Sequence, residues 1–91
     1  MNKALQRFPQ DADLHFSLGL LLIRQQQHSD ALTHLKQAAE FAPMNARYQY
    51  VYAVGLHSAG RSEEALHVTR NALKTMQDPN LSALEQQLSN L

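Results

Sequence analysis

Residues 11–43 read DADLHFSLGLLLIRQQQHSDALTHLKQAAEFAP, and residues 45–77 read NARYQYVYAVGLHSAGRSEEALHVTRNALKTMQ. Laid over one another at an offset of 34, they place Asp11 on Asn45, Leu22 on Leu56, Ala31 on Ala65 and Ala38 on Ala72, while Pro9 falls on Pro43. A fixed period of that size marks a solenoid, in which each repeat is one supersecondary unit that buries its apolar face against a neighbour. Only 3 Gly and 3 Pro punctuate the chain. Between them apolar residues recur at helical spacing, Ala, Leu and Gln are abundant and β-branched residues few, so the class is all-α.

The offset also sets the helix boundaries. Asp11 and Asn45 are N-cap residue types, each two positions after a proline that ends the preceding segment. The pattern predicts helices over residues 12–25, 28–41, 46–59, 62–76 and 79–89, with a stub over 2–8. Asp30, Glu63 and Glu64 fall in first turns, where a carboxylate meets the positive end of the helix dipole. Asp78-Pro79 supplies a cap followed by proline in the first helical position, and Leu81, Leu84, Leu88 and Leu91 then form one apolar stripe, as suits a closing helix. Gly60 stands where the third of these helices turns back, and its counterpart is Gln26; if the turn needs a positive φ, Gln26 is strained there by about 1 kcal/mol.

The residues resemble the tetratricopeptide repeat, whose signature is W-x2-L-G-x2-Y, then A-x3-F, then P. The first copy has His15, Leu18, Gly19 and Leu22, then Ala31 and Leu35, then Pro43; the second has Gln49, Tyr52, Ala53 and Leu56, then Ala65 and Thr69. The small residues carry the likeness: Gly19 or Ala53 lets Ala31 or Ala65 on the partner helix approach closely. His15 and Gln49 replace the usual Trp, Leu35 and Thr69 replace an aromatic, and Gln77 replaces the closing Pro, which arrives late as Pro79. The resemblance implies an α-solenoid of antiparallel helix pairs, part of a right-handed superhelix. Residues 1–11 would be the tail of a preceding repeat, 12–45 and 46–79 two repeats, and 80–91 a capping helix. It also implies that the chain begins inside a repeat of a longer protein.

In such arrays the first helix of each pair lines a concave groove. The resemblance places Asp13, Phe16, Leu20, Ile23, Arg24, Arg47, Tyr50, Val54 and His57 there. The helix over 12–25 carries Leu14, Leu18, Leu21 and Leu22 for the core and still has Phe16, Leu20 and Ile23 on another side. A helix apolar nearly all round must be covered on both sides. The expected occupant is a peptide or protein partner with apolar side chains, its polar edge framed by Arg24, Arg47 and Asp13. A homodimer through the same face is the alternative. Family members that grip chaperone tails place Lys and Asn in the groove, whereas Phe16, Leu20 and Val51 stand at the matching places here, which sets that ligand aside. The stretch Ala46 to Val54 also resembles repeat segments at the C-terminal end of some large bacterial multihaem cytochromes, which would put an electron-carrying part upstream.

Composition narrows the rest. Lys plus Arg (8) balances Asp plus Glu (8), so the long-range field that draws nucleic acid is missing, and Arg24 and Arg47 are too few to neutralise phosphates along an inner face. Zero Cys excludes disulfides and thiolate chemistry and leaves the compartment open, cytoplasmic or, behind an upstream export signal, periplasmic. The longest apolar run, Leu18 to Ile23 broken by Gly19, predicts no membrane insertion. Five His (His15, His28, His34, His57 and His67) contain no pair at i, i+4, and phosphate loops, G-x-S-x-G and H-E-x-x-H are absent. No metal, cofactor or catalytic residue is expected. His15, at the aromatic place of the motif, reads as a packed residue, and His57 as a groove residue able to tune binding as it protonates.

Overall fold

A computed structural model describes residues 11–90, and among them there are five helices and no strand. They are α1 (Ala12–Arg24), α2 (His28–Phe41), α3 (Ala46–Ser58), α4 (Ser62–Leu73) and α5 (Pro79–Ser89). The predicted stub over 2–8 and the proposed repeat fragment lie outside the described residues, as does Leu91. The chain divides into two compact units, Met1–Ala42 and Pro43–Leu91. In the first, α1 packs on α2; in the second, α4 packs on α3, and α5 packs on α4 and, less extensively, on α3.

The caps repeat with the sequence. The Asp11 carboxylate accepts the Leu14 N–H at 3.2 Å, and the Asn45 side-chain oxygen accepts the Tyr48 N–H at 3.1 Å. Each satisfies one of the N–H groups that a helix start leaves without an intrahelical partner. Asp78 does the same for α5, accepting from Asn80 N–H at 2.9 Å and Leu81 N–H at 3.1 Å, with Pro79 in the first turn.

The turns repeat as well. At the end of α1 the Gln26 N–H donates to the Ile23 carbonyl (3.0 Å) and the Gln27 N–H to the Leu22 carbonyl (2.9 Å). At the end of α3 the Gly60 N–H donates to His57 (3.0 Å) and the Arg61 N–H to Leu56 (2.9 Å). Both are Schellman closures, which need a left-handed residue just past the helix. Gly60 provides it at φ 81°, and Gln26 adopts φ 61°, the one non-glycine positive φ among the described residues.

Helix α4 stops at Leu73 and not at residue 76 as its pattern predicted. The reason lies in the last turn. The Lys74 and Thr75 N–H groups reach back three residues, to Asn71 (3.3 Å) and Ala72 (3.2 Å), and the Thr75 hydroxyl adds a bond to the Ala72 carbonyl at 3.3 Å. Pro79 then holds Asp78 in extended backbone, φ −134° and ψ 123°, which closes off helix before it.

The packed interiors follow the predicted small residues. Ala31, Ala38, Ala53, Ala65 and Ala72 are all buried, with Leu35 and Leu56 beside them. At Gly19 a Cβ would stand 2.8 Å from Cγ and Cδ2 of Leu35 and 3.3 Å from the Ala31 carbonyl oxygen, so α1 and α2 meet at a distance only glycine permits. In the second hairpin the equivalent positions are Ala53 and Thr69: a larger residue on one helix, a smaller one on the other. Thr69 is fully buried, and its hydroxyl donates to the Ala65 carbonyl at 2.8 Å, which leaves no polar atom unpaired. Leu81, Leu84 and Leu88 are buried, as the stripe on α5 predicted.

Candidate functional site

The predicted face of α1 begins with Asp13, exposed in the first turn, and ends with Arg24, exposed in the last. Between them Leu20 and Ile23 are half-buried. Phe16 departs from expectation: at 6% exposure its ring belongs to the packed interior and is not offered to a partner. The four leucines assigned to the core, Leu14, Leu18, Leu21 and Leu22, are only half-buried. The residues α1 does bury are His15, Phe16 and Gly19.

On α3, Arg47 is exposed, while Tyr50, Val54 and His57 are half-buried. Of the three tyrosines, Tyr48 is the buried one, and Tyr52, expected in the core, is half-buried like Tyr50. His57 has a local partner, its Nδ1 lying 2.8 Å from the Ser62 hydroxyl at the start of α4 and so tying the two helices across their turn. A hydroxyl accepts or donates, so the bond survives a change in the protonation of the ring.

A second arrangement was not read from the sequence. His15 and His34, on facing helices of the first hairpin, bring their Nδ1 atoms to 3.0 Å, with the ring centroids 5.3 Å apart and the ring planes 26° from parallel. The Phe41 ring lies against His15 at 5.7 Å. Burial holds the His34 pKa below the ordinary imidazole value, His15 pushes it further the same way, and Asp30, one turn earlier on α2, pulls it back. The signal was present: His15 fills the aromatic place of the motif, and His34 stands next to Leu35, which fills the other. Only the antiparallel pairing of the helices brings them together.

A shallow cleft of about 610 Å³ lies where α4 passes into α5, lined by Leu73, Met76, Gln77, Asp78, Pro79 and Ser82. Asp78, its one ionisable group, is engaged as the α5 cap. Among the described residues no group of three or more His, Cys, Asp or Glu could hold a metal ion, and no helix is long and apolar enough to cross a membrane.

Helix hairpins with repeating caps, repeating turns and small residues at their crossings agree with the comparison to known families. The family model described as "Tetratricopeptide repeat" matches residues 1–55. The chain belongs to the tetratricopeptide repeat family. No curated protein matches it. Tetratricopeptide repeats serve in general as protein–protein interaction modules, and within the match α1 holds six large aliphatic residues half-buried, Leu14, Leu18, Leu20, Leu21, Leu22 and Ile23.

Proposed function

We propose that this tetratricopeptide protein is a non-catalytic interaction module that takes a peptide or protein partner on the first helix of each hairpin. Leu20 and Ile23 on α1, and Tyr50 and Val54 on α3, receive apolar side chains of the partner; Asp13, Arg24, Arg47 and His57 border them. The observation that carries this reading is that Leu20 and Ile23 on α1, and Tyr50 and Val54 on α3, are only half-buried. An apolar side chain left at that exposure gains roughly 25 cal/mol for every Å² of apolar surface a partner covers.

The test is a peptide library selected against the whole chain, followed by titration of the selected peptides into Leu20→Glu and Tyr50→Ala. Both variants are expected to lose at least tenfold in affinity, about 1.4 kcal/mol, with melting temperatures close to the parent's. Selected peptides that bind both variants as tightly as the parent would end this reading. Sedimentation at two concentrations separates a hetero-partner from self-association: a dimer abolished by Leu20→Glu would make the second copy the occupant.

A further inference from the structure

We propose that His15 and His34 form a proton-sensitive clasp that holds α1 against α2 near neutral pH and weakens the first hairpin in acid. The proposal is independent of what binds the chain.

At 3.0 Å the two Nδ1 atoms make a hydrogen bond only when one of them carries a proton and the other offers its lone pair. In the uncharged pair one ring is the Nδ1–H tautomer and the other the Nε2–H tautomer. A single added proton goes to the outer Nε2 of the donor ring, and one Nδ1–H···Nδ1 bond is kept. With both rings charged, two N–H groups point at each other with no acceptor between them. The folded hairpin therefore admits one extra proton and refuses the second.

The surroundings strengthen the refusal. His15 is 8% exposed and lies against the His34 ring and the uncharged ring of Phe41. Besides His15 and His34, the titratable and charged groups of the two helices and the α1 cap are Asp11, Asp13 and Arg24, and His28, Asp30, Lys36 and Glu40 along α2. Asp11 is committed to the Leu14 N–H, and Asp30 is the one carboxylate that favours charge on His34, without outweighing burial and His15. Arg24 ends α1, more than two turns beyond His15.

An imidazole with a lowered folded pKa contributes stability that is complete above the unfolded value of about 6.5 and drains away as pH falls below it, because the unfolded chain takes up a proton that the folded one excludes. The second hairpin has no such pair: Gln49 and Val68 stand at the equivalent positions.

The experiment follows the imidazole nitrogens of the whole chain by NMR from pH 8 to 4.5, in buffer with EDTA so that protons and not metal ions are read, alongside urea unfolding at pH 7.5 and 5.0. His34 is expected to titrate below the ordinary imidazole value and to show a hydrogen-bonded Nδ1. The unfolding equilibrium of the parent should shift toward the unfolded state several-fold more between the two pH values than that of His34→Val or His15→Gln, which install the residues of the second hairpin. Titration of His34 at or above the ordinary imidazole value, or equal pH dependence in parent and variants, would overturn the proposal. The titration of the parent decides alone if either variant fails to fold.

Discussion

Gln26 and Gly60 hold one backbone conformation with different side chains, and the comparison isolates the cost of a Cβ there. Both close a Schellman turn, and around Gly60 nothing stands within 4 Å of where a Cβ would be, so no contact there would offset the strain. A left-handed non-glycine residue costs roughly 1–2 kcal/mol, and glycine returns part of that through the greater entropy of its unfolded chain. Gln26→Gly should therefore stabilise by about 0.5–1 kcal/mol and raise the melting temperature by a few degrees, and Gly60→Gln should lower it by a similar amount. Thermal unfolding followed by circular dichroism reads both; a fall with Gln26→Gly would mean that the Gln26 side chain supports its turn. Gly19 is the opposite case, a glycine kept for closeness and not for φ. Alanine there gains up to about 1 kcal/mol in helix propensity, but its Cβ would press on Cγ of Leu35 at 2.8 Å, at the branch point and not at a flexible end. Overpacking of about 1–3 kcal/mol wins, so Gly19→Ala is expected to destabilise in the same unfolding assay.

At the scale of the helix pair, the two repeats solve the same crossing with complementary volumes, Gly19 opposite Leu35 in one and Ala53 with Thr69 in the other. The crossing fixes the sum of the two side chains more than either one. The Gly19→Ala loss should thus be largely recovered in the double variant Gly19→Ala/Leu35→Thr relative to Leu35→Thr alone. A double-mutant cycle measures the recovery as a coupling of about 1–2 kcal/mol, and additive effects would show that the hairpins do not share a crossing geometry. The partner alanines obey the same constraint. Ala31 and Ala65 are buried at the crossings, and Ala65→Leu should cost about 1–3 kcal/mol in urea unfolding because the second hairpin has no room for the larger side chain.

For the whole chain, the helices were legible because their punctuation is local: Asp11, Asn45 and Asp78 cap within three residues of where they stand, and the apolar period needs only its own helix. The end of α4 was not, since the Lys74 and Thr75 N–H groups turn to carbonyls three residues back and nothing in the apolar period registers that. Phe16 lies deeper than Leu20 and Ile23 on the same helix, because a wheel says which side a residue faces but not how deep its surroundings let it sink. The histidine pair was illegible as a pair, its members being nineteen residues apart and joined only by the antiparallel turn. The closing helix gives the strongest test of how the chain is held. Leu81, Leu84 and Leu88 are 0%, 5% and 4% exposed. Each contributes about 1.5–3 kcal/mol by leaving water. Their sum is comparable with the whole stability expected of a domain this size, roughly 5–14 kcal/mol, while the Arg70–Glu85 pair at 3.5 Å, largely solvated, adds little. A chain ending at Gln77 is therefore expected to lose the helicity of α3 and α4 as well as that of α5, to bind a hydrophobic dye and to associate on size-exclusion. Leu84→Ala, which keeps α5 in place, should cost about 2–5 kcal/mol in urea unfolding. A truncated chain that stays monomeric and loses only the helicity of α5 would show that the second hairpin stands without its closing helix.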